Sequence, residues 1–257
     1  MYNSSLGCWS LTSSLWDGKT AYNGGFFISA VPPMKTTLYI DGFNLYYGVL
    51  KGSPYKWLDV VKLFTHICQE QNPDADIVAV KFFTAPVKGK IATRGEQAVL
   101  SQNAYHKALR TLYPDLFQVI EGYFILEAGG MPRYQNPLVK TDRVNVWRLE
   151  EKKTDVNIAL HLYRDAYKGM EQLVLVSNDS DIVPALEAIQ EDFQQAITAA
   201  IMPRLKPTGG EARPPNAELS KLSHWTRHYI LEEELKACQL PNMIQTKKKA
   251  VYKPDYW

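Results

Sequence analysis

Only three cysteines and five histidines occur among the 257 residues, and that scarcity removes several classes of protein at once. Cys8, Cys68 and Cys238 lie far apart, form no Cys-x-x-Cys pair and leave an odd count. This argues against a disulfide framework and a thiolate zinc site, and it fits a reducing, cytoplasmic compartment. His224 and His228 stand four apart, a spacing that shares one helix face, yet no third His or Cys is near enough in sequence to complete a zinc site. No apolar run approaches the ~18 residues that a membrane span needs, so no membrane partner is expected. The net charge is only +2. No overall basic field announces nucleic acid, and local clusters would have to supply one. A Gly-x-Gly-x-x-Gly turn after a strand is missing, as are a flavin fingerprint and a non-haem iron triad.

What is present is ordinary in bulk, with 46% hydrophobic and 22% charged residues. The length suits one large domain, alone or with appendages. Residues 1–33 differ from the rest: they are rich in Ser, Gly, Asn and Thr, show no period, and lack the basic start and apolar core of a signal peptide. Met34 opens MKTTLYIDGFN like a protein start. Either Met34 is the initiator, or residues 1–33 form a poorly ordered extension. The expected division is an extension over 1–33, a main domain over 34–202, and a C-terminal region over 203–257.

Within the main domain, five short runs read as strands: Thr37–Ile40, Ile77–Thr84, Phe117–Leu126, Leu173–Val176 and Ala196–Ile201. Their scarcity of polar residues suits parallel strands covered on both faces. Helical spacing of apolar residues appears over Trp57–Gln69, Gln97–Leu112 and Val156–Tyr167, and a further helix opens at Ile182. Alternating strands and helices predict an open α/β sheet. Residues 203–220 contain Pro203, Pro207, Gly209, Gly210, Pro214 and Pro215 and read as a linker. It leads to one helix or two short ones over Leu219–Leu235, with Trp225 and Tyr229 packing on the domain. The tail TKKKAVYKPDYW is basic and aromatic and requires no regular structure.

Four aspartates fall where strands end or a helix begins. Asp41 closes the first strand; Asp179 and Asp181 follow the fourth; Asp155 opens a helix. Ligands of open parallel sheets bind beyond the carboxyl ends of the strands. Two carboxylates as close as Asp179 and Asp181 repel unless a cation sits between them, and Mg²⁺ and Mn²⁺ prefer carboxylate oxygen and water. Each aspartate alone has a plain explanation as a turn or cap. Their combination in one α/β pattern points to a metal site.

The strings YIDGFNLYY (39–47), KKTDVNIAL (152–160) and VSNDSDIVPAL (176–186) resemble the NYN domain family, a branch of the PIN-like nucleases, over roughly residues 34–201. The resemblance implies a PIN-like three-layer α/β fold with a mainly parallel central sheet. It also implies a Mg²⁺- or Mn²⁺-dependent ribonuclease site that leaves 5′-phosphate and 3′-hydroxyl ends. By motif, Asp41, Asp155, Asp179 and Asp181 are the catalytic and metal-holding residues, with Asn44 and Ser177 in support. Asn178 and Ile182 stand where many relatives have Gly and Phe; neither departure removes a carboxylate. Lys88, Lys90 and Arg94 follow the second strand and are candidates for substrate binding. Lys247, Lys248, Lys249 and Lys253 interleave with Tyr252, Tyr256 and Trp257, a mixture that suits single-stranded RNA or a merely solvated tail. PIN-like domains often pair, so a homodimer is among the expectations. The same family includes an NADH-dependent monooxygenase acting on 6-hydroxy-3-succinoylpyridine. That is one alternative, and a non-catalytic RNA-binding regulator is another. Cys68, the Tyr46–Tyr47 pair and the charges around Glu150 and Glu151 are read as packing or surface features.

Overall fold

A computed structural model describes residues 21–23, 26–28, 32–206 and 214–257. The chain divides into two units, residues 1–33 and 34–257. In the first, β1 (Ala21–Asn23) pairs antiparallel with β2 (Phe26–Ile28); most of the expected poorly ordered extension lies outside the described residues.

The second unit follows the chain as β3 (Met34–Asp41), α1 (Gly42–Leu45) and a π-helical turn (Tyr46–Leu50). Next come α2 (Val60–Gln71), β4 (Ala75–Thr84), α3 (Glu96–Leu112) and β5 (Phe117–Glu121). Then follow β6 (Tyr123–Pro132), β7 (Arg143–Lys152), α4 (Thr154–Tyr167) and β8 (Gln172–Val176). A 3₁₀ turn (Ser180–Ile182) leads into α5 (Val183–Asp192) and β9 (Ile197–Ile201). The remainder comprises α6 (Ala217–Lys221), β10 (Trp225–Arg227), α7 (Glu232–Ala237), β11 (Met243–Ile244) and β12 (Val251–Tyr252). Among the described residues, no helix is long and apolar enough to cross a membrane.

Six strands form the central sheet in the order β10-β9-β8-β3-β4-β5, and every neighbouring pair is parallel. Its two faces follow from the two-residue period of a strand. Leu38, Ile40, Val80 and Phe82 point to α2 and α3, among Leu63, Phe64, Ile67 and Leu109. Tyr39, Phe83, Leu173 and Leu175 point to the opposite face, among Ile158, Leu162, Leu186 and Ile189 of α4 and α5. The result is the three-layer α/β fold with a parallel central sheet that the sequence predicts.

The departures are local. The run Phe117–Leu126 is not one strand: it breaks at Gly122, where a Cβ would sit 2.5 Å from the Lys152 carbonyl oxygen. The chain turns there into a hairpin, with β6 and β7 antiparallel from Tyr123↔Lys152 to Pro132↔Arg143. An apolar run hides such a break, because hydrophobicity alone does not report where the backbone must bend. The region Leu219–Leu235 holds parts of two short helices, α6 and α7, but a strand separates them. Between α6 and α7, Trp225–Arg227 pairs parallel with β9 as the sixth strand, which matches the β-preference of Trp and Thr. His224 and His228 therefore share no helix face, and the backbone N–H of His224 donates to the Thr198 carbonyl at 2.8 Å. The tail is structured as well: β11 and β12 pair antiparallel, with Lys247–Lys249 exposed in the turn between them. Residues 207–213 of the linker lie outside the described residues.

Between the sheet and α4 lies a buried polar cluster. Tyr39 on β3 donates its hydroxyl to Asp165 Oδ2 at 2.6 Å, and the Lys81 ammonium on β4 bonds the same oxygen. Lys81 also approaches His161 Nδ1 at 3.3 Å. Removing one partner of a buried pair strands the other's charge, which costs about 3–5 kcal/mol. Asp165→Ala should lower unfolding stability by about that amount in urea titrations; a loss under about 1 kcal/mol would mean that the pair behaves as if exposed.

Candidate functional site

From β3 the chain runs outward through β4 and β5 on one side of the sheet, and later through β8, β9 and β10 on the other. The order therefore reverses between β3 and β8, and such a switch point opens a crevice beyond the strand ends. Ile40 pairs with Val176, so the next residues, Asp41 and Ser177, emerge side by side. Asp41 is buried and caps α1. Its Oδ1 accepts the N–H groups of Phe43 at 3.0 Å and Asn44 at 2.9 Å. Its Oδ2 accepts the Asn44 amide at 2.7 Å and the Ser177 hydroxyl at 2.9 Å. Burial raises the Asp41 pKa; these hydrogen bonds oppose the rise, and the Asp179 charge adds to it.

The loop after β8 is held to this turn. Ser177 Oγ accepts the Asp179 N–H at 3.1 Å, and Asp179 Oδ1 accepts the Asp181 N–H at 3.1 Å, capping the 3₁₀ turn. The Asn178 N–H donates to Asn44 Oδ1 at 3.3 Å, so Asn44 bridges both strand ends. Asn178 joins the C-terminal segment: its Oδ1 accepts the Asn216 N–H at 2.7 Å. In the sequence, Asn178 stands out only as a departure from the family pattern.

Asp155 arrives from a third direction. Lys153, between β7 and α4, has φ 78° and is the one non-glycine residue with positive φ among the described residues. That left-handed conformation is disfavoured for residues with a Cβ. It turns the chain sharply from the hairpin into the helix. Thr154 and Asp155 fill the first turn, with the Thr154 hydroxyl bonded to Glu151. The Asp155 pKa is pushed up to about 6, first by burial, then by the charges of Asp41, Asp179, Glu151 and Asp181. The four sequence-predicted aspartates thus share one electrostatic field, and Glu151 joins them as a fifth carboxylate that sequence reading assigned to surface pairing. Its neighbour Glu150 does pair at the surface, with Arg148 and with Lys152 at 2.5 Å.

These carboxylates are hard oxygen donors with an excess of negative charge, a donor set that suits a divalent cation. They are not closed tightly together. Among the described residues, the acidic or imidazole ligand atoms that come within 4.8 Å of one another as a trio are those of His66, Glu70 and Glu234. A cation already sits there: Arg227 bonds Glu234 at 2.6 Å and Glu70 at 3.4 Å. That trio is an ion-pair network, whereas the aspartates have no such partner among the described residues.

On the other side of the Asp41 turn, Gly42 and Phe43 line a cavity of about 480 Å³. A Cβ at Gly42 would stand 2.7 Å from the Phe83 carbonyl oxygen and 2.9 Å from Phe82 Cζ, so glycine lets the turn lie flat on β4. Of the three basic residues proposed to meet substrate, Lys88 and Arg94 line this cavity; Lys90 does not. Tyr256 and Trp257 also line it, so the aromatic end of the tail packs on the domain, while Lys247–Lys249 stay exposed. The Tyr256 hydroxyl bonds Gln97 O at 3.0 Å and Ser101 Oγ at 2.8 Å, and Trp257 packs on Trp57 and Tyr105 with ring centroids at 6.1 and 5.6 Å. Tyr46 and Tyr47 are exposed at its rim and not buried packing. Cys68 is fully buried, and burial pushes its thiol up to about 12.

Residues 35–205 match the family model of the NYN domain. The chain is 37% identical over 243 residues to 6-hydroxy-3-succinoylpyridine 3-monooxygenase HspA of Pseudomonas putida, covering 88% of this chain and 76% of that protein. A solved structure, a protein of unknown function from Vibrio parahaemolyticus, aligns with a TM-score of 0.46 at 15% identity, over 78% of this chain and 95% of that one.

The shift at Asp155 has a consequence for stability. Its folded-state pKa of about 6 lies above the ordinary 3.8, so the folded protein holds this proton to higher pH than the unfolded chain does. The stability this provides is fully present below the unfolded value and is lost as pH rises through the folded one. In EDTA, the thermal midpoint should therefore fall from about pH 4 to about pH 6. Asp155→Asn should flatten that fall; a variant keeping the full wild-type slope would remove Asp155 as its source.

Proposed function

This chain belongs to the NYN domain family, and on that premise we propose that it is a metal-dependent ribonuclease acting on single-stranded RNA. The observation that carries this reading is the convergence of Asp41, Asp155, Asp179 and Asp181 at the switch point of the sheet, where burial and mutual repulsion raise the pKa of Asp41 and Asp155. Those four residues would hold Mg²⁺ or Mn²⁺. When bound there, such an ion supplies positive charge to the phosphodiester and lowers the pKa of a water molecule.

The chain's own residues supply the frame. The Phe43 and Asn44 N–H groups, the Asn44 amide and the Ser177 hydroxyl fix the Asp41 carboxylate in one orientation. Asn44 and Ser177 also hold the loop that carries Asp179, so the carboxylates from β3 and β8 are oriented before substrate arrives, the condition under which fixed charges act without reorganisation. In the reaction, water oxygen bonds to phosphorus, the bond from phosphorus to the 3′-oxygen breaks, and that oxygen takes a proton. The products are a 5′-phosphate and a 3′-hydroxyl.

A second reading is an NADH-dependent monooxygenase acting on a pyridine ring. It is favoured by the name of the 37% identical relative and by the aromatic cavity beside the aspartates.

Labelled single-stranded RNA, incubated with Mn²⁺ or Mg²⁺, distinguishes these readings. Asp179→Asn and EDTA should each reduce cleavage by a factor on the order of 10² or more. Equal cleavage by wild type and Asp179→Asn would refute the site. No cleavage by either, together with NADH oxidation dependent on 6-hydroxy-3-succinoylpyridine, would establish the second reading.

A further inference from the structure

The cavity beside the Asp41 turn has a composition of its own. Phe43 from α1, Phe82 from β4 and Phe124 from β6 give it aromatic walls, with Phe43 and Phe124 edge to face at 5.5 Å between ring centroids. Its volume of about 480 Å³ falls in the range of small-molecule sites, which are mostly apolar with a few placed polar groups. The charges lining it are all of one sign: Lys51, Lys56, Lys88 and Arg94, with no Asp or Glu among the lining residues. Arg94 is held in place, its guanidinium 4.3 Å from the centroid of the Tyr256 ring.

One polar side chain that lines this cavity makes no hydrogen bond within the fold. His106 on α3 is 5% exposed and lines the cavity, yet its ring hydrogen-bonds no described residue; its close neighbours are the rings of Phe82 and Tyr105, at 5.9 and 6.1 Å. Its ring nitrogens are not among the enclosed, unpaired side-chain atoms of the described residues, which are Arg204 Nη1, Trp225 Nε1 and Gln239 Oε1; they keep access to the cavity, where water or a ligand can pair them. Burial, then the Arg110 charge, pushes the His106 pKa down to about 4. The neutral imidazole then offers one N–H donor and one acceptor nitrogen, which matches the polar edge of a heteroaromatic ring.

We propose that this cavity binds a planar heteroaromatic ring that carries an anionic group. The ring lies among Phe43, Phe82 and Phe124, its polar edge meets His106, and its charge meets Arg94 and Lys88. Two sources supply that chemistry. One is an unpaired nucleotide of RNA, with base and phosphate; the other is a free heteroaromatic carboxylic acid. In the first case the inference deepens the nuclease reading by placing one base beside the Asp41 turn. It does not depend on turnover, because binding is measured without a metal or a scissile bond.

The test is titration calorimetry of the full chain in EDTA with uridine 5′-monophosphate, nicotinate and, as a control without an aromatic ring, ribose 5-phosphate. The expected result is saturable binding of the nucleotide or of nicotinate, at least about tenfold tighter than ribose 5-phosphate. Arg94→Ala and Lys88→Ala should each weaken it by about tenfold, while Lys90→Ala, on the same segment but outside the cavity, leaves it unchanged. Preference for the nucleotide assigns RNA as the source, and preference for nicotinate assigns the small acid. Failure of both to saturate, equal binding of ribose 5-phosphate, or an equal loss from Lys90→Ala would overturn the proposal. RNA cleavage is scored separately, so a nuclease with an empty cavity and a filled cavity without nuclease activity give different results.

Discussion

The hydrogen bonds that orient the buried Asp41 carboxylate are the constraint on which the site depends. A carboxylate at the end of a central parallel strand is surrounded by apolar layers above and below, and it stays there only if donors replace the lost water. Phe43, Asn44 and Ser177 supply them. Because those donors come from α1 and from the loop after β8, satisfying one buried charge also fixes the register of two loops. Asn44 extends the link to Asn178, and Asn178 extends it to the segment before α6.

The two sides of the Asp41 turn are electrostatic opposites. Five carboxylates gather on one side, and lysines and an arginine line the cavity on the other. A single short turn, pressed onto β4 by the absence of a side chain at Gly42, separates them.

The fold class was legible in the sequence because parallel strands buried on both faces leave continuous apolar runs, as Leu173–Val176 does. Asp41, Asp179 and Asp181 were legible as positions because an acidic residue after such a run sits at a strand end, and Asp155 because it opens an amphipathic helix. What was not legible rests on distant pairing. Glu151 joins the aspartates only because a hairpin returns the chain to the base of α4. Tyr256 reaches Ser101 across 155 residues, and no local pattern announces that contact. Trp225–Arg227 became a strand because β9 presented an open edge, an instance of tertiary context deciding what three residues do.

The hairpin of β6 and β7 leads without a loop into the strained residue Lys153 and then to Asp155. Its ten-residue strands are roughly 30 Å long, and exposed Trp147 lies along one of them. In mechanical terms the hairpin is a boom whose root carries one of the clustered carboxylates. A load that tilts the boom moves Asp155 directly, whereas Asp41 and Asp179 are braced by the sheet and stay where they are.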